Sequence, residues 1–127
     1  MTTSESFLAV GDSLYNTGDY EAAIDYYTSA ICMSSNSLRI AETKAIHFRS
    51  LSRRSEAYIS LHSFKLAYND AHAALALYPN SDNLHDFITS APGVLPLEIE
   101  WVHDLVTTCV VHLFPSFPPV DGHDATI

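Results

Sequence analysis

Small and aromatic residues recur at helical intervals in the first third of the chain. In GDSLYNTGDYEAAIDYYTSAI, residues 11–31, Gly11, Gly18, Ala23 and Ala30 punctuate a run of tyrosines. Between Asp19 and Tyr78 there is no glycine and no proline, residues that strands joined by tight turns would need, so helix is predicted throughout. Thr2 with Glu5 three residues later reads as a capping box for a helix to about Tyr15, and Gly18 takes the left-handed position after it. Asp19 caps a second helix, EAAIDYYTSAICM, which SSNS at 34–37 interrupts. Residues 38–61 are predicted as one long helix, about 36 Å at roughly 1.5 Å per residue. Ser63 caps its successor, FKLAYNDAHAALALY, and Pro79 ends it. A short polar-capped helix is expected over 80–90, and Pro92, Gly93 and Pro96 then break the chain. Beyond the break Val102, Leu105, Val106, Cys109 and Leu113 share one face of an amphipathic helix reaching about Phe114. Residues 115–127 read as a disordered tail or linker.

The two long hairpins overlay at a fixed offset. Gly11, Leu14, Asp19, Tyr20, Ala23, Tyr27 and Ala30 each find a counterpart 44 residues later, in Ser55, Tyr58, Ser63, Phe64, Ala67, Ala71 and Ala74. Small residues meet small ones and cap meets cap, which marks an internal repeat. Small residues let paired helices approach closely, and the aromatic after each cap fills the turn.

In this pattern the chain resembles the tetratricopeptide repeat (TPR) family. The first repeat, about 4–37, matches through Gly11, Leu14, Gly18, Tyr20, Ala23, Tyr27 and Ala30, with Ser35 where the family often has proline. The second, about 48–81, matches through Ser55, Tyr58, Phe64, Ala67, Ala74 and Pro79, with His62 where glycine is usual and Ala71 where an aromatic is common. The family's unit is about 34 residues; the ten extra here are placed as an extension of the long helix around RIAETKAIHF. The resemblance implies an all-α fold, TPR helical hairpins forming a right-handed solenoid fragment over residues 1–90. The helix within 91–114 is expected to cap the apolar edge that stacked repeats leave.

The resemblance also implies a function, protein–protein interaction through a concave face lined by the first helix of each repeat. By register that face takes Glu5, Leu8, Ala9, Asp12, Tyr15 and Asn16 from the first repeat. From the second it takes Arg49, Ser52, Arg53, Glu56, Ile59 and Ser60. Family members that clamp a chaperone's C-terminal carboxylate place lysine and asparagine where this chain has Leu8 and Asp12, and asparagine where it has Arg53. They add a basic pair in a third repeat, yet no basic residue follows Lys65. The clamp is absent, which disfavours a co-chaperone role.

Charge refines this picture. The net charge is −9, but all six basic residues lie between 39 and 65, where only Glu42 and Glu56 oppose them. That segment is +4, against −5 for the first 38 residues and −8 for residues 66–127. Such a chain should repel nucleic acid while offering an acidic group a local site. Arg49 and Arg53, four apart, project from one helical face and are the anchors expected for an acidic or amphipathic partner segment. The alternative is that Arg49, Arg53 and Arg54 pair with Glu56, Asp12 or the acidic flanks as an ordinary solvated face.

The remaining chemistry is thin. A composition of 47% apolar and 17% charged residues fits one globular domain. Cys32 and Cys109 show no disulfide spacing and are expected to be buried apolar groups in a reducing compartment. No signal peptide or membrane span is evident, so the cytoplasm or nucleus is expected. Cys109 and His112 lie one turn apart, but zinc wants four ligands. The scattered histidines, His62 and His72 among them, form no catalytic constellation, and no cofactor or enzymatic activity is expected. Tyr15, Tyr20, Tyr26 and Tyr27 read as core and groove lining. A weaker resemblance, to the opening of an F-box, lies in LPLEI, where Leu95, Pro96, Leu97 and Ile99 would face a ubiquitin-ligase linker subunit. The partner's identity and the oligomeric state are not legible.

Overall fold

The structure, a computed structural model, describes residues 3–79 and 93–114. The helix expected over 80–90 and the tail from 115 lie outside the described residues. Those described form five α-helices and no strand: α1 Ser4–Asn16, α2 Tyr20–Ser34, α3 Ala41–Ser60, α4 Phe64–Ala76 and α5 Pro96–Leu113. The fold is all-α. Consecutive helices pack on one another, and α3 also touches both α1 and α5. The helices α1, α3 and α5 thus form one row, with α2 and α4 wedged between its members.

Two identical turns make the hairpins. After α1, Gly18 adopts φ +89°, its N–H bonding Tyr15 O at 3.0 Å and the Asp19 N–H bonding Leu14 O at 3.0 Å. This crossed pair satisfies carbonyls that a helix end otherwise leaves bare. After α3, His62 adopts φ 62°, its N–H bonds Ile59 O at 2.9 Å, and the Ser63 N–H bonds Tyr58 O at 2.8 Å. Every partner is the 44-residue counterpart of the first turn's. Asp19 then caps α2 through its side chain, which accepts from the Ala22 N–H at 3.3 Å. Ser63 occupies the same place before α4 without a side-chain cap bond.

The seams are where small residues were expected. Ala23, Ala30, Ala67 and Ala74 are fully buried. One core cluster joins Leu8, Ala23, Tyr27 and Ala30 to Ala57 of α3. The other joins Ala45, Phe48 and Leu51 of α3 to Ala71 and Ala74 of α4 and to Ile99, Val102 and Leu105 of α5. α5 therefore covers the second hairpin as a capping helix. Buried serines do not leave orphaned hydroxyls: Ser55 donates to Ala67 O at 2.7 Å, stitching α3 to α4, and Ser50 donates to Ile46 O at 2.8 Å within α3.

Several boundaries differ from expectation. The α1 cap is Thr3, whose Oγ1 accepts from the Ser6 N–H at 3.1 Å, not Thr2. α3 begins at Ala41 and ends at Ser60, shorter than the expected 38–61. A 3-10 turn over Ser35–Ser37 follows α2, and Ile40 is extended before α3, because the chain must reverse there and the Ile40 N–H bonds Ser37 O at 3.1 Å. α4 ends at Ala76, ahead of Pro79. Cys109 is buried as expected, but Cys32 is exposed, since it shares the outward face of α2 with Glu21 and Asp25.

Candidate functional site

The row of α1, α3 and α5 brings Asp12, Arg53 and Trp101 together. On α1, Asp12 Oδ1 accepts a 2.7 Å hydrogen bond from the hydroxyl of the buried Tyr27. Its other neighbour is Arg53 of α3, with Nη1 3.8 Å away. The Arg53 guanidinium also lies over the Trp101 ring of α5, 5.5 Å from its centroid, a cation–π arrangement. One arginine thus bridges all three helices of the row, and its side chain remains 44% exposed.

Arg49, one turn earlier, is engaged differently. Its Nε donates to Glu98 Oε1 at 2.7 Å and its Nη2 to Glu98 Oε2 at 3.1 Å, and Nη2 also donates to Gly93 O. Glu98 Oε2 in turn accepts from the Leu95 N–H at 2.8 Å, closing the first turn of α5. This two-pronged pair ties α3 to the start of α5 and occupies Nε and Nη2, the edge with which a guanidinium grips a carboxylate in two prongs. Burial alone would raise the Glu98 carboxyl; the bonds from Arg49 and Leu95, with the positive charges of Arg49 and Arg53, outweigh it and hold that carboxyl below its ordinary range.

Arg54 faces the other way. Its Nε and Nη2 donate to both carboxylate oxygens of Asp70 on α4, at 2.7 and 2.8 Å, and its Nη1 to Thr28 Oγ1 on α2 at 3.0 Å. Of the three clustered arginines, two are therefore spent on pairs with the acidic C-terminal flank and Arg53 faces Asp12, partners the alternative reading names, although Arg54–Asp70 is mostly buried and not a solvated pair.

The other expected groove residues divide. Tyr15 is half-buried, its hydroxyl 3.4 Å from Ser60 Oγ, and its ring meets Tyr20 edge-on at 5.0 Å. Asn16 is exposed beside it. Glu56 is half-buried; burial pushes its carboxyl up, Arg53 opposes and Asp12 adds to the rise. Leu8 belongs to the core, and Ser52 is fully buried with its hydroxyl donated to Phe48 O at 2.7 Å, so neither offers a surface. Burial and the bond to Asp12 push the Tyr27 hydroxyl far up, fixing it as a neutral donor. At the row's opening end, Glu5, Glu42, Ala45, Ile46, Arg49 and Gly93 border a cleft of about 290 Å³.

Trp101 and Glu98 escaped sequence reasoning as members of this face. The signal was the position of Glu98 in the first turn of α5 and of Trp101 one turn on, both beside a helix carrying unmatched arginines. Of the F-box-like residues, Leu95 and Leu97 are 64% and 74% exposed, whereas Ile99 is in the core. Cys109 is buried and His112 instead stacks on the Phe64 ring at 4.1 Å. Tyr26 is exposed rather than core. Among the described residues no group of three or more His, Cys, Asp or Glu is placed to hold a metal ion, and no helix is long and apolar enough to cross a membrane. No protein-family model, curated protein or solved structure matches the chain.

Proposed function

We propose that this chain is a non-enzymatic interaction module of the TPR kind, binding an amphipathic segment of a protein partner along the face shared by α1, α3 and the start of α5. The observation that carries the reading is Arg53, left half-exposed between Asp12 and the Trp101 ring while its neighbours Arg49 and Arg54 are consumed internally. An acidic group of the partner would exchange with Asp12 for Arg53, and an apolar group would lie on Trp101 or Tyr15. The acidic requirement thus narrows from two arginines to one.

A photo-crosslinking residue placed at Asn16, on this face, should trap a partner that the same residue at the exposed Ala73 of α4 does not, and Arg53→Glu should abolish that product. Equal yields from both positions, or a product indifferent to Arg53→Glu, would remove the groove from the function. The exposed Leu95 and Leu97 support a second reading, an F-box-like contact at the start of α5. In that case Leu97→Asp, not Arg53→Glu, would abolish capture of a ubiquitin-ligase linker subunit.

A further inference from the structure

The two ends of the helix stack are unlike, and their differences match. At the far end, Lys65, Tyr68 and Asn69 of α4 and Val110 and Leu113 of α5, with Phe114 beyond, border an apolar slot of about 400 Å³. Lys65 is the sole charged residue of that lining. It is exposed and forms no ion pair with any described residue. At the near end, the α1–α2 hairpin leaves Val10, Tyr26 and Met33 exposed, and α2 also exposes the carboxylates of Glu21 and Asp25, which lack an ion pair among the described residues. No basic residue occurs in the first 38 positions to neutralise that hairpin.

We propose that copies of this chain associate head to tail, the acidic and apolar edge of one copy's α1–α2 hairpin seating in the α4–α5 slot of the next. Tyr26 supplies a ring for a slot walled by Tyr68, Val110 and Leu113, and Glu21 and Asp25 supply the charge that Lys65 lacks. Apolar contact gives such an interface its attraction, and charge fixes which end meets which. The two halves lie at opposite ends of the row, and α1 makes no contact with α5. A single copy cannot satisfy both, so the contact is heterologous and runs from copy to copy, as an open filament or a closed ring. Asp12, Arg53 and Trp101 take no part in it, and the groove of every copy stays open.

Sedimentation velocity on the 127-residue chain tests this across a concentration series. The mass should grow past that of a dimer, and Lys65→Glu alone, or Glu21→Lys with Asp25→Lys, should each weaken association about tenfold or more. These are exposed sites, and unchanged circular dichroism checks that the variants fold. An equimolar mixture of the two variants should associate again, because each restores the charge match the other lost. Lys65 should react with an amine-acylating reagent at low concentration and become protected as the mass rises. A monomer at every concentration would overturn the proposal and leave the slot to a different protein. A mass that stops at the dimer, indifference to both reversals, or a mixture that fails to recover would overturn it too. Protection of Lys65 in the monomer would do the same, by placing the chain's own residues 115–127 in the slot.

Discussion

Gly11 of α1 lies so close to the Tyr27 ring of α2 that a β-carbon on Gly11 would fall 2.6 Å from Tyr27 Cε1 and 2.7 Å from Cδ1. The ring cannot swing aside, because it is fully buried and its hydroxyl is held by Asp12. In the second hairpin the counterpart of Tyr27 is Ala71, and there the counterpart of Gly11 is Ser55, whose Cβ has room. Small opposes large in one hairpin, and small opposes small in the other.

Gly11→Ala should therefore destabilise the chain despite the helix propensity that alanine brings. Overpacking costs about 1–3 kcal/mol, against a gain of up to about 1 kcal/mol from propensity, so the melting temperature should fall by several degrees. Adding Tyr27→Leu should recover part of that loss. A rise in melting temperature for Gly11→Ala alone would show that the contact is not tight.

His62 carries the left-handed conformation that Gly18 carries in the first turn. A non-glycine residue there costs roughly 1–2 kcal/mol, offset in part by the greater freedom glycine loses on folding. His62→Gly should stabilise by about 0.5–1 kcal/mol, readable as a higher urea midpoint at unchanged slope. Destabilisation would mean that the edge-on contact of His62 with Phe64, at 5.8 Å, outweighs the strain.

The Arg54–Asp70 pair is mostly buried, with side chains 19% and 10% exposed. Removing one partner strands the other charge, so Asp70→Ala should cost about 3–5 kcal/mol. Replacing both, as Arg54→Met with Asp70→Leu, should cost far less. Equal losses from the single and double variants in urea unfolding would show that the pair is not coupled.

His47 is buried, its Nδ1 2.7 Å from Ser34 Oγ. Burial, and then the charge of Arg54, hold its imidazole below the ordinary 6.5, a bond donated to the Ile31 backbone opposing them. Below pH 6.5 the unfolded chain therefore takes up a proton that the folded chain refuses. This contribution is fully present above 6.5 and is lost as the pH falls from there through the folded value. His47→Gln should flatten the slope of stability against pH in that window relative to the parent chain. An unchanged slope would show that His47 does not carry the acid sensitivity of that window.

What could be read from sequence was local. The small seams, both turns and the cap at Asp19 are set by residues within a few positions of one another, and they fall where the 44-residue offset puts them. The start of α3 was not legible, because RIAETK is good helix-forming sequence and a chain reversal fixes the boundary. Cys32 was misjudged by residue type, although its spacing from Asp25, seven residues on the same helix, already placed it on a solvent face. The candidate face was legible only in part on α1 and α3, where repeat register names Asp12, Tyr15 and Arg53 but also Leu8 and Ser52, which pack inside. Its third side was not, since Arg49 and Glu98 stand 49 positions apart and meet only because α5 docks beside α3.

Arg54 has a further consequence for how the chain comes apart. A linear array of hairpins can fray from either end, each unit answering only to its neighbour. Here one guanidinium on α3 grips α2 and α4 together, so neither hairpin can open without breaking the other's hold. Amide hydrogens of α2, α3 and α4 should accordingly exchange as one cooperative block, leaving only the outermost turns to breathe alone.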